Sequence, residues 1–375
     1  MKNQRSIITF FCSGLFLFLL AHSVNVEMAR QSHKEDFNQR NPASLRESCL
    51  SLARRFISAK PDDFLEKEFS DDFQKWLRNN GYQELLKSRV RWSSFGGKTQ
   101  KGEQIERVPT LFIHGNSDTA LGYAGHGLKS KGLTGWRKYY SAFQNKGIKE
   151  SEIFGISWGD ANPYMASMQA HTYDNIMRVR MAIEAVSLYS EEVLGNTGGR
   201  VNVVGHSMGV TLALKAIYGG KAYDAPVIAL LQSRSILTHG FFRKSLELPS
   251  GRGGSLADRV ENFVGIAGAA KGLDNCRGMG FIVPSCSDLV GLHSQSEVLK
   301  DIWSQNHAPA QNVYSLYSTQ DELLTTSNNA NRSQGVSSIV PYSQKEYVFD
   351  EQAGLDHFAT KDENVELVWN LLYPE

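Results

Sequence analysis

Three regimes of hydrophobic patterning follow one another along the chain. At the N-terminus an apolar run, Ile7 to Ala21 (IITFFCSGLFLFLLA), follows Lys2 and Arg5 and gives way to polar chain. From about Arg30 to Tyr82 the background is charged. Leu45, Leu52, Phe56, Phe64, Phe69, Phe73 and Trp76 recur there at roughly helical spacing, which predicts helices packed on a main domain. A Gly-rich joint, Ser93 to Lys98, leads into the third regime. Its short apolar runs predict strands: Pro109 to His114 (PTLFIH), which suits a strand buried on both faces, then Ile153 to Trp158, Val201 to Val204, Phe263 to Ala267, Val313 to Tyr317 and Tyr347 to Phe349. Helical segments are expected between them at Trp136–Lys146, Tyr173–Leu194 and Met208–Tyr218, with a terminal helix from about Glu363 to Leu372. Ile176, Val179, Ile183 and Val186 stripe the second of these, and Gly195 ends it. Strands alternating with helices predict a mostly parallel α/β sheet with helices on both faces.

Two connections exceed simple turns, Gly219 to Asn262 and Gly268 to about Gln311. Structureless loops of that length are uncommon inside a domain, so both are expected to be ordered excursions over the strand ends, candidates for a cap. Their apolar residues, among them Phe241, Phe242, Phe281 and Ile282, suit either a local core or a wall for an apolar substrate. The polar run Thr325 to Ser338 is expected to be a surface loop.

The N-terminal run has the layout of a secretory signal peptide, residues 1–23, with Ala21 and Ser23 as small residues before the cut. It is shorter than the roughly 20 residues of a spanning helix, although an uncleaved anchor is the competing reading. The expected organisation is then 1–23 signal peptide, 24–107 N-terminal helical extension and 108–375 main domain, in an exported, extracellular protein. Export favours disulfides: Cys276 and Cys286 flank a short Gly- and Pro-containing loop that a bond can close, leaving Cys49 odd. Asn331 heads a sequon for one N-glycan. Forty Lys+Arg against 39 Asp+Glu leave a net charge of +1, which gives no reason to invoke nucleic acid.

The candidate chemistry centres on Gly205-His206-Ser207-Met208-Gly209, a Gly-x-Ser-x-Gly pattern that chance supplies in about one chain of this length in eight. Its setting is more specific, because VNVV runs straight into it and the helical segment Val210 to Ile217 runs straight out. A strand-to-helix turn of this kind strains Ser207 and thrusts its hydroxyl from the sheet, and side chains at Gly205 and Gly209 would collide. The amide of Met208 then donates to an oxyanion, with a second donor expected from the amide of Asn116, after His114-Gly115. A serine needs a histidine base and an orienting acid. In strand-turn-helix hydrolases these follow the serine in the order acid, histidine. Of the later histidines, His239, His293 and His307 lie in the excursions or their flanks, whereas His357 follows the last strand by a short loop. Asp321, just past NVYSLY, is the expected acid; Asp288, in the cysteine excursion, is its rival, and Glu322 is expected to point elsewhere.

The blocks VPTLFIHGNSDTALG, ISWGDANPYMASMQAHTYDNIMRVR, VNVVGHSMGVTLALKA, FVGIAGAAKGL, VYSLYSTQDELL and GLDHFATKD resemble, in order, those of the class 2 lipases, secreted α/β-hydrolases that cleave triacylglycerols. The resemblance runs from about Val108 to the C-terminus. It implies an α/β-hydrolase fold with Ser207, Asp321 and His357 as triad and Asn116 with Met208 as oxyanion hole. The segment Tyr223 to about Leu256 has no clear counterpart in the compact members, and Asn116 replaces an apolar residue of some relatives; both bear on acyl preference. A soluble short-chain carboxylesterase or a phospholipid acyl hydrolase would use the same triad. So would a thioesterase or peptidase, while a non-catalytic binding protein of this fold would have lost a triad member. No cofactor, metal cluster or protein partner is suggested; the expected partner is a lipid or other ester, with transient contact at a lipid interface.

Overall fold

The computed structural model describes residues 67–87, 93–122, 133–223, 243–245, 254–276, 279, 283–324 and 336–374. All belong to one contact unit, Leu65–Tyr123 with Gly132–Glu375. Residues 1–23, expected to be a signal peptide, and Cys49, His239, Phe241, Phe242, Phe281, Ile282 and Asn331 lie outside the described residues.

The expected strands form. β1 (Thr110–Ile113), β2 (Ile153–Ile156), β3 (Val201–His206), β6 (Val260–Ile266), β7 (Asn312–Ser318) and β8 (Lys345–Phe349) make one six-stranded sheet in the order β2-β1-β3-β6-β7-β8. Every pairing in it is parallel. The apolar runs are continuous because both faces are covered: β1, β2 and β3 are buried at every position. Edge strand β8 keeps its polar alternation, since it has one neighbour and partly faces solvent. β4 (Lys221–Tyr223) and β5 (Arg243–Ser245) pair antiparallel as a separate two-stranded sheet in the first excursion.

Helices flank both faces. Phe112 points at α2 (Arg137–Asn145), packing on Trp136, Tyr139 and Phe143, and Phe143 reaches Trp369 of α7 (Val365–Leu372). On the other face Phe154, in register with Leu111, meets Tyr189 of α3 (Tyr173–Val193) and Phe73 of α1 (Asp71–Asn79). Thr172 caps α3 by accepting the amide of Asn175, and Gly195, at φ 77°, follows its last turn in the left-handed conformation that suits glycine. The predicted stripe of α3 is buried, but so are Arg180, Glu184 and Ser187. α4 (Met208–Tyr218) packs against α3 and on the sheet, and the Arg180 guanidinium donates to the carbonyl of Ala216 near the end of α4 at 2.6 Å.

Three departures have simple causes. The second excursion carries a helix, α5 (Glu297–Trp303), capped by Ser296 and too short to announce itself by periodicity. The terminal helix is preceded by the short α6 (Ala359–Asp362). The end of the polar run is not surface: Val336, Ser337 and Ser338 are buried, with Ser337 bonded to Gly272 and accepting the amide of Lys271, so its polar atoms are satisfied inside.

The chain enters at β1, steps to β2 on one side, and returns to β3 on the other. The strand order therefore reverses between β1 and β3, and sheets of this kind bind their ligands at the C-terminal ends of the strands beside such a reversal. The site lies along that edge.

Candidate active site

Ser207 joins β3 to α4 with φ 53° and ψ −130°, the strained conformation the motif predicts. Its amide donates to Ile266 O at 2.9 Å, which anchors the turn to β6. The flanking glycines are required by close approach. A Cβ at Gly209 would stand 2.2 Å from His114 O, and one at Gly205 would stand 2.9 Å from Val210 Cα. Met208 opens α4, so its amide is one of the helix donors with no intrahelical acceptor.

The facing wall is the end of β1. A Cβ on Gly115 would meet Ser207 Cβ at 3.1 Å, so this backbone lies directly against the serine turn. Residues Gly115 to Asp118 form a tight turn, Asp118 N to Gly115 O at 3.4 Å, with Ser117 at φ 63°. The side chain of Asn116 is occupied by structure: Nδ2 donates to Ala166 O at 2.8 Å and Oδ1 accepts from Ser117 Oγ at 2.9 Å. Its main-chain amide, like that of Met208, donates to no other group among the described residues.

His114 is a structural histidine. Nδ1 donates to Gly115 O at 2.7 Å, Nε2 accepts the amide of Trp158 at 3.0 Å, and the two rings stack at 5.1 Å. That tautomer is neutral, and burial pushes its pKa down to about 3.

His357 and Asp321 meet in the interior. Nδ1 of His357 is 2.7 Å from Asp321 Oδ2, and the two residues are 1% and 0% exposed. The other carboxylate oxygen accepts the amides of Leu323 and Leu324 at 3.0 and 2.8 Å, so the turn after β7 orients the carboxylate. With Nδ1–H donated to the carboxylate, Nε2 keeps its lone pair. The ring of His206, next to Ser207, lies 4.8 Å from that of His357 and sends Nε2–H to His357 O at 3.3 Å. Burial, reinforced by the neighbouring His357, holds His206 well below the usual histidine range. The rival Asp288 is exposed and sits 3.4 Å from His293 within its own loop, and His307 bonds Ser255.

The expectation that Glu322 points elsewhere is corrected: its Oε2 accepts the main-chain amide of His357 at 2.8 Å, because the turn that presents Asp321 to the ring presents its neighbour to the backbone. A second group missed from the sequence lies behind the Asn116 turn. Buried Asp118 accepts the amides of Thr119 and Gly135, while Lys361, just after His357, donates to Gly135 O and Thr134 Oγ1. Burial pushes Asp118 up to about 6. No sequence signal marks either group, since each depends on segments far apart in the chain.

Cys276 and Cys286 are joined by a disulfide, as expected. That excursion is tied to the core by His171, whose backbone N–H and Nδ1 reach Val290 O and whose Nε2 lies 2.6 Å from Thr211 Oγ1 of α4. Among the described residues no group of three or more His, Cys, Asp or Glu is placed to hold a metal ion, and no helix is long and apolar enough to cross a membrane.

A parallel sheet with a strained serine between strand and helix, and a buried histidine–carboxylate pair at the same edge, defines an α/β-hydrolase. Residues 107–231 and 242–370 match the family Lipase (class 2), and the chain belongs to it. Among solved structures it is similar to Aspergillus fumigatus lipase B, with 15% identity and a TM-score of 0.41 over 73% of this chain and 54% of that one. It is similar also to mature Bacillus licheniformis lipase BlEst2, with 11% identity and a TM-score of 0.39 over 74% and 96%. The chain thus spans about half the length of the Aspergillus protein. No curated protein matches it.

Proposed function

We propose that the protein is a carboxylic ester hydrolase acting on lipid esters through an acyl-serine intermediate. Ser207 Oγ attacks the ester carbonyl as His357 Nε2 takes its proton. Asp321 holds the imidazole in the accepting tautomer and stabilises the imidazolium. The carbonyl oxygen becomes an oxyanion between the amides of Asn116 and Met208. Collapse expels the alcohol, protonated by His357; water, deprotonated by the same imidazole, then releases the acid and frees Ser207. The observation that carries this reading is the 2.7 Å contact of His357 with Asp321 at the sheet edge where Ser207 is held with φ 53°.

Export through the signal segment 1–23 and an extracellular site of action belong to the same reading; the disulfide fits an oxidising compartment. Lipid esters are favoured over small soluble ones by the family. Each buried methylene of an acyl chain contributes about 0.8 kcal/mol, so a long-chain enzyme gains orders of magnitude in kcat/KM over several carbons. The test is a series of esters of rising acyl length on purified protein, with Ser207→Ala alongside. The expected results are a kcat/KM that climbs well beyond butyrate, and loss in Ser207→Ala of both turnover and labelling by a fluorophosphonate. Labelling that survives Ser207→Ala would overturn the nucleophile. A preference peaking at acetate or butyrate would leave a short-chain carboxylesterase.

A further inference from the structure

We infer that Glu322 is a positioning residue for the base: by accepting the main-chain N–H of His357, its carboxylate sets where the imidazole stands over Asp321. The inference rests on the reading of His357 as base.

His357 has no strand or helix to hold it. It ends the stretch 350–357 that leaves β8, of which residues 350–354 are exposed, and it precedes α6. Up to Asp356 the loop is bonded locally, with Gln352 and Ala353 turning back on Asp350, and Phe358 and Ala359 on Asp356. At His357 the anchors come instead from the two elements that carry its partners in the proposed reaction. The N–H is held by Glu322 at 2.8 Å and the C=O by His206 at 3.3 Å. An imidazole is two torsions from its backbone, so these anchors decide where Nε2 points once Asp321 has taken Nδ1. The Asp321 bond alone fixes one ring atom; where the rest of the ring stands depends also on where its backbone is held.

The turn after β7 uses its two consecutive carboxylates for different ends of one residue. Asp321 spends one oxygen on the amides of Leu323 and Leu324 and the other on the ring; Glu322 reaches the backbone. Acid and base loop are thereby locked in one frame, and a displacement on the order of 1 Å there costs about a hundredfold in rate.

The test compares Glu322→Ala, Glu322→Gln and Glu322→Asp, with Asp321→Asn as reference, by steady-state kinetics and by the far-downfield proton resonance of the His357 Nδ1–H bond. Positioning through the hydrogen bond predicts that Glu322→Ala lowers kcat by about ten- to a hundredfold with little change in KM, and broadens the resonance. Glu322→Gln, which keeps an acceptor oxygen of the same reach, restores most of kcat and the resonance. Glu322→Asp, which keeps the charge but falls one methylene short, behaves like Ala. Wild-type kcat and resonance in Glu322→Ala would overturn the inference, as would Asp rescuing where Gln does not, since charge rather than position would then be at work. Should Glu322→Ala fail to fold, the Gln and Asp pair still decides. If Asp321→Asn itself leaves activity and resonance intact, the reading of the site fails instead.

Discussion

Oδ2 of Asp321 lies 2.7 Å from Nδ1 of His357, in a pair closed off from solvent. Replacing Asp321 by Asn keeps the shape but lets the amide nitrogen face Nδ1, which favours the tautomer with its proton on Nε2, where it cannot accept from serine. Comparable exchanges lower kcat by about ten-thousandfold, and a loss of that order with an unchanged melting curve is expected here. Asp288→Asn serves as the contrast. Its carboxylate is exposed and pairs with His293 within its own loop, so turnover should stay within about twofold of wild type. A large loss in Asp288→Asn with a mild one in Asp321→Asn would place the acid in the cysteine loop.

Gly209 tests the nucleophile turn separately from its chemistry. Its added methyl would press on His114 O at 2.2 Å and Ile113 O at 2.7 Å, both backbone atoms that can yield only if β1 and α4 part. Overpacking of this kind costs about 1–3 kcal/mol, occasionally more. Because the displaced chain leads straight into Gly115 and Asn116, Gly209→Ala should lose turnover out of proportion to its stability. Gly254, with nothing within 4 Å, supplies the control: Gly254→Ala is expected to be neutral in urea unfolding and in rate. Equal behaviour of the two variants would show that the turn tolerates a side chain.

What could be read beforehand divides along physical lines. The inner strands were legible because a parallel sheet covered on both faces demands unbroken apolar runs, as in TLFI and VNVV. The serine turn was legible because its sterics exclude side chains at two fixed positions, Gly205 and Gly209. Asp321 and Asp288 stayed in competition because a carboxylate's partner is set by tertiary contact, not spacing. The same limit hid the Glu322 contact, the Asp118–Lys361 cluster and the burial of Arg180 and Glu184 in a helix whose stripe looked one-sided; α3 is covered by the sheet and by α4 together. Helix α5 went unseen because seven residues are barely two turns.

Acid sensitivity should run through the histidine that fastens the disulfide excursion to α4. His171 is buried between Val290 O and Thr211 Oγ1, and burial pushes its pKa from 6.5 down to about 4. Below pH 6.5 the unfolded chain takes up a proton that the folded one refuses, so stability falls as pH drops from 6.5 to about 4 and this contribution levels off below that. The gap corresponds to up to roughly 3 kcal/mol. His114 adds a slope of the same sign. Asp118, raised to about 6, opposes both, because its buried charge is relieved as pH falls through that value. The overall curve therefore mixes signs, and the difference between wild type and His171→Gln is the quantity to follow. Glutamine can still donate to Val290 O and reach Thr211 Oγ1 but does not titrate. In urea unfolding at pH 7, 6, 5 and 4, wild type is expected to lose stability relative to His171→Gln steadily below pH 6.5. A difference that stays constant across that range would show that His171 takes its proton in the folded protein as readily as in the unfolded one.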